Sequence, residues 1–292
     1  MEYEIKNQEL TVRISDFGAE LQSIRGKDGT EYLWQGDPAV WEDRAPNIFP
    51  YVARLTEGKY TWNGTEYPMQ IHGFVKYRTL VPETIEGERI TFKLTSDPET
   101  KEQYPFDFIY RITYELSEKE LKIIVRVENT GKERMYFAIG GHPGFQVPLE
   151  EGLAFEDYHL EFDQDARPWR VGFSDTCFLT GQDASYPLKD NRILPLHHSL
   201  FDQDAIVLKH AARQVKLASD KGTKSVTVSY SDFPYLGIWH MPGMEAPYVC
   251  IEPWSSLPSR DGIIEDLSLQ ADMLWLDGGK TYETQWSVRV EG

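Results

Sequence analysis

The chain has 292 residues, 40% of them hydrophobic and 13% aromatic, which is enough apolar content for a large core. Its 30 Lys and Arg against 47 Asp and Glu give a formal charge of −17. That charge repels phosphate backbones and anionic lipid heads, and so argues against nucleic acid and membranes as partners.

No apolar run approaches the ~18–20 residues of a membrane-spanning helix. Met1 to Lys6 has neither a basic nor an apolar signal region. Cys177 and Cys250 make no metal or redox spacing. A reduced, cytoplasmic protein is expected. No break in composition divides the chain, so residues 1–292 read as one domain. All-β folds reach about 200–250 residues as single units.

In chain order, the first third reads as short strands. Thr11 to Ile14 alternates, and Lys27-Asp28-Gly29-Thr30 is a turn before Glu31 to Trp34. Tyr60-Thr61-Trp62, Asn63-Gly64 and Thr65-Glu66-Tyr67 form the clearest hairpin signal, because Asn-Gly supplies the positive φ of a type I′ turn. Glu88 to Leu94 and Phe108 to Leu116 alternate. Glu120 to Glu128 also reads as a strand, although Ile123-Ile124-Val125 breaks the period. Asn129-Thr130-Gly131 turns into the run Arg134 to Ile139. Further strands are expected at 158–162, 205–208, 225–230, 248–251 and 281–290. Glu265 to Met273 reads as a short helix or an irregular loop. Helical periodicity is otherwise nearly absent, so the fold class is all-β, with antiparallel sheets packed as a sandwich.

Four stretches carry chemistry. Gly140-Gly141-His142-Pro143-Gly144-Phe145 follows a strand-like run. Two glycines strip bulk before an imidazole, and Pro143 and Gly144 are expected to turn the chain after it. Ile71-His72-Gly73-Phe74 places a second histidine before a glycine. Asn47-Ile48-Phe49-Pro50 leads to Arg54, which lies among apolar neighbours and needs a carboxylate or a ligand oxygen as partner. Cys250-Ile251-Glu252-Pro253-Trp254 ends a core-like run in a carboxylate. By alternation Glu252 either points outward or serves a site, since glutamate is rarely buried unpaired. Asp202 and Asp204 flank Gln203 before another apolar run. His197, His198 and His240 lack supporting neighbours and read as structural or surface residues.

Taken together and in order, NIFPYVAR, IHGF, GGHPGF and CIEPW resemble the aldose 1-epimerase, or mutarotase, family. Leu276-Asp277-Gly278-Gly279-Lys280 resembles its C-terminal end. The resemblance implies an antiparallel, galactose mutarotase-like β-supersandwich with a sugar bound in a cleft across one sheet. It matches Glu252 to the catalytic base and His142 to the catalytic acid. Arg54 and His72 match sugar-binding residues. Asp204 is the preferred match for the substrate-binding aspartate, with Asp202 as the alternative. The short chain, lacking an Asn-Arg-Ile string at Arg54, is most similar to the shorter branch of the family.

The implied reaction interconverts the α and β anomers of a hexose. It needs proton transfer only, with no cofactor and no metal. A carboxylate beside His142 is expected to hold it as imidazolium. The pH profile should then be bell-shaped, with an acidic limb from Glu252 and a basic limb from His142. Trp254 and Phe74 are expected to cover the apolar face of the sugar. Other readings are a non-catalytic sugar-binding protein, a hexose-phosphate 1-epimerase, and a metal site made of His72, His142 and Glu252. The partner expected is a small sugar, and the sequence leaves monomer and homodimer open.

Overall fold

The computed structural model describes all 292 residues. Two large antiparallel sheets dominate. One has nine strands, with Thr281–Glu291 and Glu120–Asn129 near its centre. The other has eight. Its central path runs Ile206–Lys209, Tyr235–Trp239, Tyr248–Trp254, Gly140–Gly141 and Asn47–Ile48, with Gly144–Gln146 also paired to Tyr248–Trp254. A three-stranded N-terminal sheet and two two-stranded ribbons complete the strands.

Alternation builds the main core. Leu121, Ile123, Val125 and Val127 are buried while the residues between them face outward, so the apparent break at Ile123–Val125 is no break. Ile124 is simply an apolar residue on the outer face. Val249 and Ile251 of the eight-stranded sheet enter the same core as Trp286 and Val288 of the nine-stranded sheet. Burying such side chains stabilises by about 1.5–3 kcal/mol each.

The hairpin forms as expected. Lys59–Trp62 pairs with Thr65–Pro68, and Asn63 and Gly64 take φ of 50° and 76°. Two expectations are corrected. Glu31 to Trp34 makes only isolated bridges, to Arg25 and Phe145. The run Arg134 to Ile139 is a strand only at Met135–Phe137, and it pairs with Leu274–Leu276. Of the two readings for residues 265–273, the irregular loop is the one that forms, as a series of turns. The one α-helix, Pro98–Gln103, opens on a capping box between Asp97 and Thr100 with Pro98 in its first turn, an N-terminal signature visible in the sequence.

The Gly-Gly-His-Pro-Gly stretch also behaves differently from expectation. None of its glycines has positive φ; they are there for close approach. A Cβ on Gly141 would lie 2.5 Å from the Trp286 ring, and one on Gly144 would lie 2.9 Å from Trp41. Gly140 and Gly141 pair with Ile48 and Asn47 as strand, leaving His142 and Pro143 between two short strands.

Candidate active site

The strand Tyr248–Trp254 is buried on both faces. Val249 and Ile251 face the main core, whereas Tyr248, Cys250 and Trp254 belong to separate clusters on the opposite face. Glu252 lies on that second face and is only 1% exposed. Of the two alternatives for it, alternation does set Glu252 on the face away from the main core. It points away from the core, and the face it points to is the floor of a cavity. Gly237 stands opposite it in the ladder, and a Cβ there would come within 3.1 Å of the Glu252 Cβ.

The cavity has a volume of about 360 Å³ and is lined by Arg54, His72, His142, Asp204, Glu252 and Trp254 among others. Residues from distant parts of the sequence thus converge on one concavity. Asp202 lines an adjoining cavity instead.

The His142 Nε2 atom lies 3.3 Å from the Glu252 Oε2 atom. The same carboxylate oxygen accepts a 3.1 Å hydrogen bond from the Trp254 indole N–H. Burial holds the Glu252 carboxyl well above its ordinary range, the Trp254 hydrogen bond opposes this, and the Asp204 charge adds to the rise. Burial, with the Lys76 charge, pushes His142 down to about 3. The expected imidazolium is therefore not favoured. Desolvation disfavours both ionised partners, so burial favours the pair as neutral carboxylic acid and neutral imidazole. The His142 Nδ1 atom is buried without a hydrogen-bond partner.

His72 is fixed differently. Its backbone takes φ of 64°, and it bonds to the segment at Ala53. The Ala53 N–H donates to His72 Nδ1 at 3.2 Å, and the His72 N–H donates to the Ala53 carbonyl at 2.9 Å. An accepting Nδ1 leaves the proton on Nε2 as a donor. Burial, with the Lys76 and Arg54 charges, holds His72 well below its ordinary pKa and hence neutral. Its ring meets that of His142 edge-on, with centroids 5.2 Å apart.

Arg54 Nη2 lies 3.8 Å from Asp204 Oδ2, and Arg54 Nη1 donates to the Thr176 carbonyl. The second Asp204 oxygen accepts from the Ala205 N–H, and Cys177 Sγ donates to Oδ2 at 3.1 Å. Both charged side chains stay about a third exposed, so their mutual attraction is weak and both retain capacity for a ligand.

Sequence reasoning missed other wall residues. Lys76 and Asp43 line the cavity and pair at 2.6 Å. Lys76 stands four residues past His72, in the 3₁₀ turn Val75–Tyr77. Trp41 tilts over His142 with centroids 5.1 Å apart, and Trp239 meets it edge-on at 5.5 Å. Phe74 does not reach the cavity; it packs in the core against Phe49 and Phe108. His240 is fully buried and structural, bonded to His198 and to the Met241 carbonyl. Donor atoms of His142, Cys250 and Glu252 lie within 4.8 Å of one another, a grouping that contains Cys250 in place of His72. Burial raises the Cys250 thiol and the Glu252 carboxyl above their ordinary ranges.

The family model described as aldose 1-epimerase matches residues 1–265. The chain belongs to the aldose 1-epimerase family. The matched span contains all five candidate residues. A protein named LacX, from a plasmid of Lactococcus lactis subsp. lactis, is 35% identical over 291 residues, covering 96% of this chain and 97% of the relative. A galactose mutarotase related enzyme from Lactobacillus acidophilus has a TM-score of 0.96 at 33% identity, covering 100% of this chain and 98% of that one. A galactose mutarotase-like protein from Lactobacillus casei has a TM-score of 0.94 at 30% identity, covering 99% and 100%. The fold is accordingly the galactose mutarotase-like β-sandwich that the four motifs implied. Within this epimerase fold the cleft crosses one sheet, with Glu252 on a central strand.

Proposed function

We propose that this chain is an aldose 1-epimerase that interconverts the α and β anomers of a hexose, with Glu252 as base and His142 as acid. The observation that carries the reading is the buried His142–Glu252 contact of 3.3 Å at the floor of a sugar-sized cavity. Ring opening needs one group to take the proton from O1 and another to give a proton to the ring oxygen. These two oxygens share the anomeric carbon, so two side chains this close can each reach one of them.

The proton inventory fits. Carboxylic acid plus imidazole carries the same single proton as carboxylate plus imidazolium. A bound sugar replaces the direct contact and donates hydroxyl hydrogen bonds to Glu252, which favour the carboxylate. Glu252 then accepts the O1 proton as His142 Nε2 protonates the ring oxygen. The C1–O5 bond breaks and C1 becomes an aldehyde. Rotation about C1–C2 and the reverse transfers close the other anomer. Arg54, Asp204 and the Nε2–H of His72 hold the hydroxyls, and Trp41, Trp239 and Trp254 exclude water.

A neutral hexose suits this cavity better than a phosphorylated one. Its two cations, Arg54 and Lys76, each already face a carboxylate, Asp204 and Asp43 respectively. Polarimetry of freshly dissolved α-anomers, with and without the protein, tests the reading. Sugar binding with no acceleration for any hexose would favour the non-catalytic alternative.

A further inference from the structure

The strand Tyr248–Trp254 carries one more reactive group on the face of Glu252. Cys250 precedes it by two residues, so both side chains leave the same side of the strand. Gly237 stands opposite Glu252 in the ladder, and Gly144 stands opposite Cys250. Neither glycine puts a side chain between the two. His142 lies between Gly140, which pairs with Trp254, and Gly144, and so comes level with Glu252. Cys250 is a free thiol, fully buried, and proton transfer at the anomeric carbon has no use for it.

Donor atoms of these three residues all lie within 4.8 Å of one another. Zinc bonds of about 2.0–2.3 Å set ligand-to-ligand edges of roughly 3.3–3.8 Å in a tetrahedron. The His142–Glu252 contact of 3.3 Å is already one such edge, and Cys250 closes the others by moving about 1 Å at most. The His142 Nδ1 atom has no partner, so it can keep the ring proton and leave the Nε2 lone pair towards Glu252. Imidazole, thiolate and carboxylate together suit zinc, whereas magnesium and calcium need oxygen donors. Glu252 and His142 line the cavity and Cys250 does not. An ion held by all three therefore has the thiolate behind it and the cavity in front.

We infer that His142, Cys250 and Glu252 form a three-ligand zinc site with its fourth position open to the cavity, and, resting on the proposed function, that zinc bound there inhibits epimerisation. The ion takes the place of the proton between His142 and Glu252, the two groups that otherwise exchange protons with the sugar. On binding, the carboxyl and the thiol each release one proton to solvent as Zn²⁺ enters. The net charge of the site is then unchanged, so a dication can be buried there beside Lys76, whose own charge faces Asp43. The formal charge of −17 draws cations towards the chain.

Cobalt is the probe for the thiolate ligand. Metal-free wild type given one equivalent of Co²⁺ should show a near-ultraviolet thiolate-to-cobalt charge-transfer band, and Zn²⁺ should remove it. Cys177→Ser should keep the band and Cys250→Ser should lose it, with melting temperature reporting that each variant folds. In polarimetry, Zn²⁺ should inhibit the wild type and EDTA should restore the rate. Each protein is read against its own metal-free rate. Cys250→Ser should need roughly tenfold more Zn²⁺ or beyond for half inhibition, since even an outer-shell partner is worth roughly 10–100-fold in metal affinity. No band in the wild type, or a band that depends on Cys177 instead, would overturn the site whether or not Cys250→Ser folds. Stoichiometric zinc binding without inhibition would overturn its effect on the reaction. If no sugar is turned over, the catalytic reading fails separately, and the cobalt band still decides the site.

Discussion

Glu252→Gln separates proton transfer from everything else this side chain does. The amide has the same shape, and its oxygen can still accept from the Trp254 indole N–H, now 3.1 Å from the carboxylate. What it lacks is the ability to take up and return a proton. A positioned acid or base contributes ~10²–10⁴-fold, or about 2.7–5.4 kcal/mol of barrier, and the rate should fall on that scale. Sugar affinity should persist, because Arg54, Asp204, His72 and the indoles remain.

The same substitution should stabilise the fold. Burial raises Glu252 above its unfolded value of 4.5, so the folded state keeps a proton that the unfolded state releases. Stability from this group is then lost as pH rises from 4.5 towards the folded pKa, by up to about 1.4 kcal/mol per pH unit. Gln has no proton to lose, so the melting temperature of the variant should exceed that of the wild type by a margin that grows with pH. Polarimetry, calorimetric sugar binding and melting at several pH values make the complete assay. A variant that still catalyses near the wild-type rate would refute Glu252 as base. A melting difference that does not change with pH would refute the buried neutral acid.

The profile of kcat/KM against pH should be a broad bell, with limbs that belong to the pair. Its acidic limb should fall towards pH 3, where His142 gains a second proton for the pair, and its basic limb should lie above the ordinary carboxylate range. This inverts the expectation from sequence, and an acidic limb near pH 6.5 would show that Lys76 and burial do not act as described. Arg54→Ala should raise KM several-fold with little change in melting temperature, since its ion pair is solvent-screened; unchanged saturation kinetics would return Arg54 to a structural role. Activity should survive EDTA, and loss that a divalent ion restores would favour a metal bound by His142, Cys250 and Glu252. Gly141→Ala should destabilise by about 1–3 kcal/mol through overpacking, because its Cβ would meet Trp286 at 2.5 Å; an unchanged denaturation midpoint would contradict the packing described.

Much of this was legible in the sequence where a local rule decides the outcome. Asn63-Gly64 admits one kind of turn. Long alternating runs such as Phe108 to Leu116 can satisfy only a half-buried strand. Arg54 among apolar neighbours had to find a partner, and Asp204 is there. What was not legible depends on partners distant in sequence. Phe74 reads like a pocket aromatic, yet its ring is claimed by Phe49 and Phe108. Gly144 reads like a turn residue, yet its lack of bulk makes room for Trp41. Lys76 looks like a surface lysine until Asp43 and the cavity fold over it. The protonation of His142 follows from how deeply it is buried, which the string GGHPGF does not contain.

The ladder that sets Gly237 against Glu252 has a further consequence. A one-residue slip there would send the glutamate into the apolar core, so the register of a fully buried strand holds it in position. The walls around it are mounted differently. Trp41, Phe173 and Met241 lie outside the named strands, on connecting segments. Glu252 is therefore held by sheet register, whereas His142 and much of the wall stand on connecting segments. On the proposed function, exchanging or lengthening the segments that carry Phe173 and Met241 should change sugar preference while Glu252 keeps its place in the sheet.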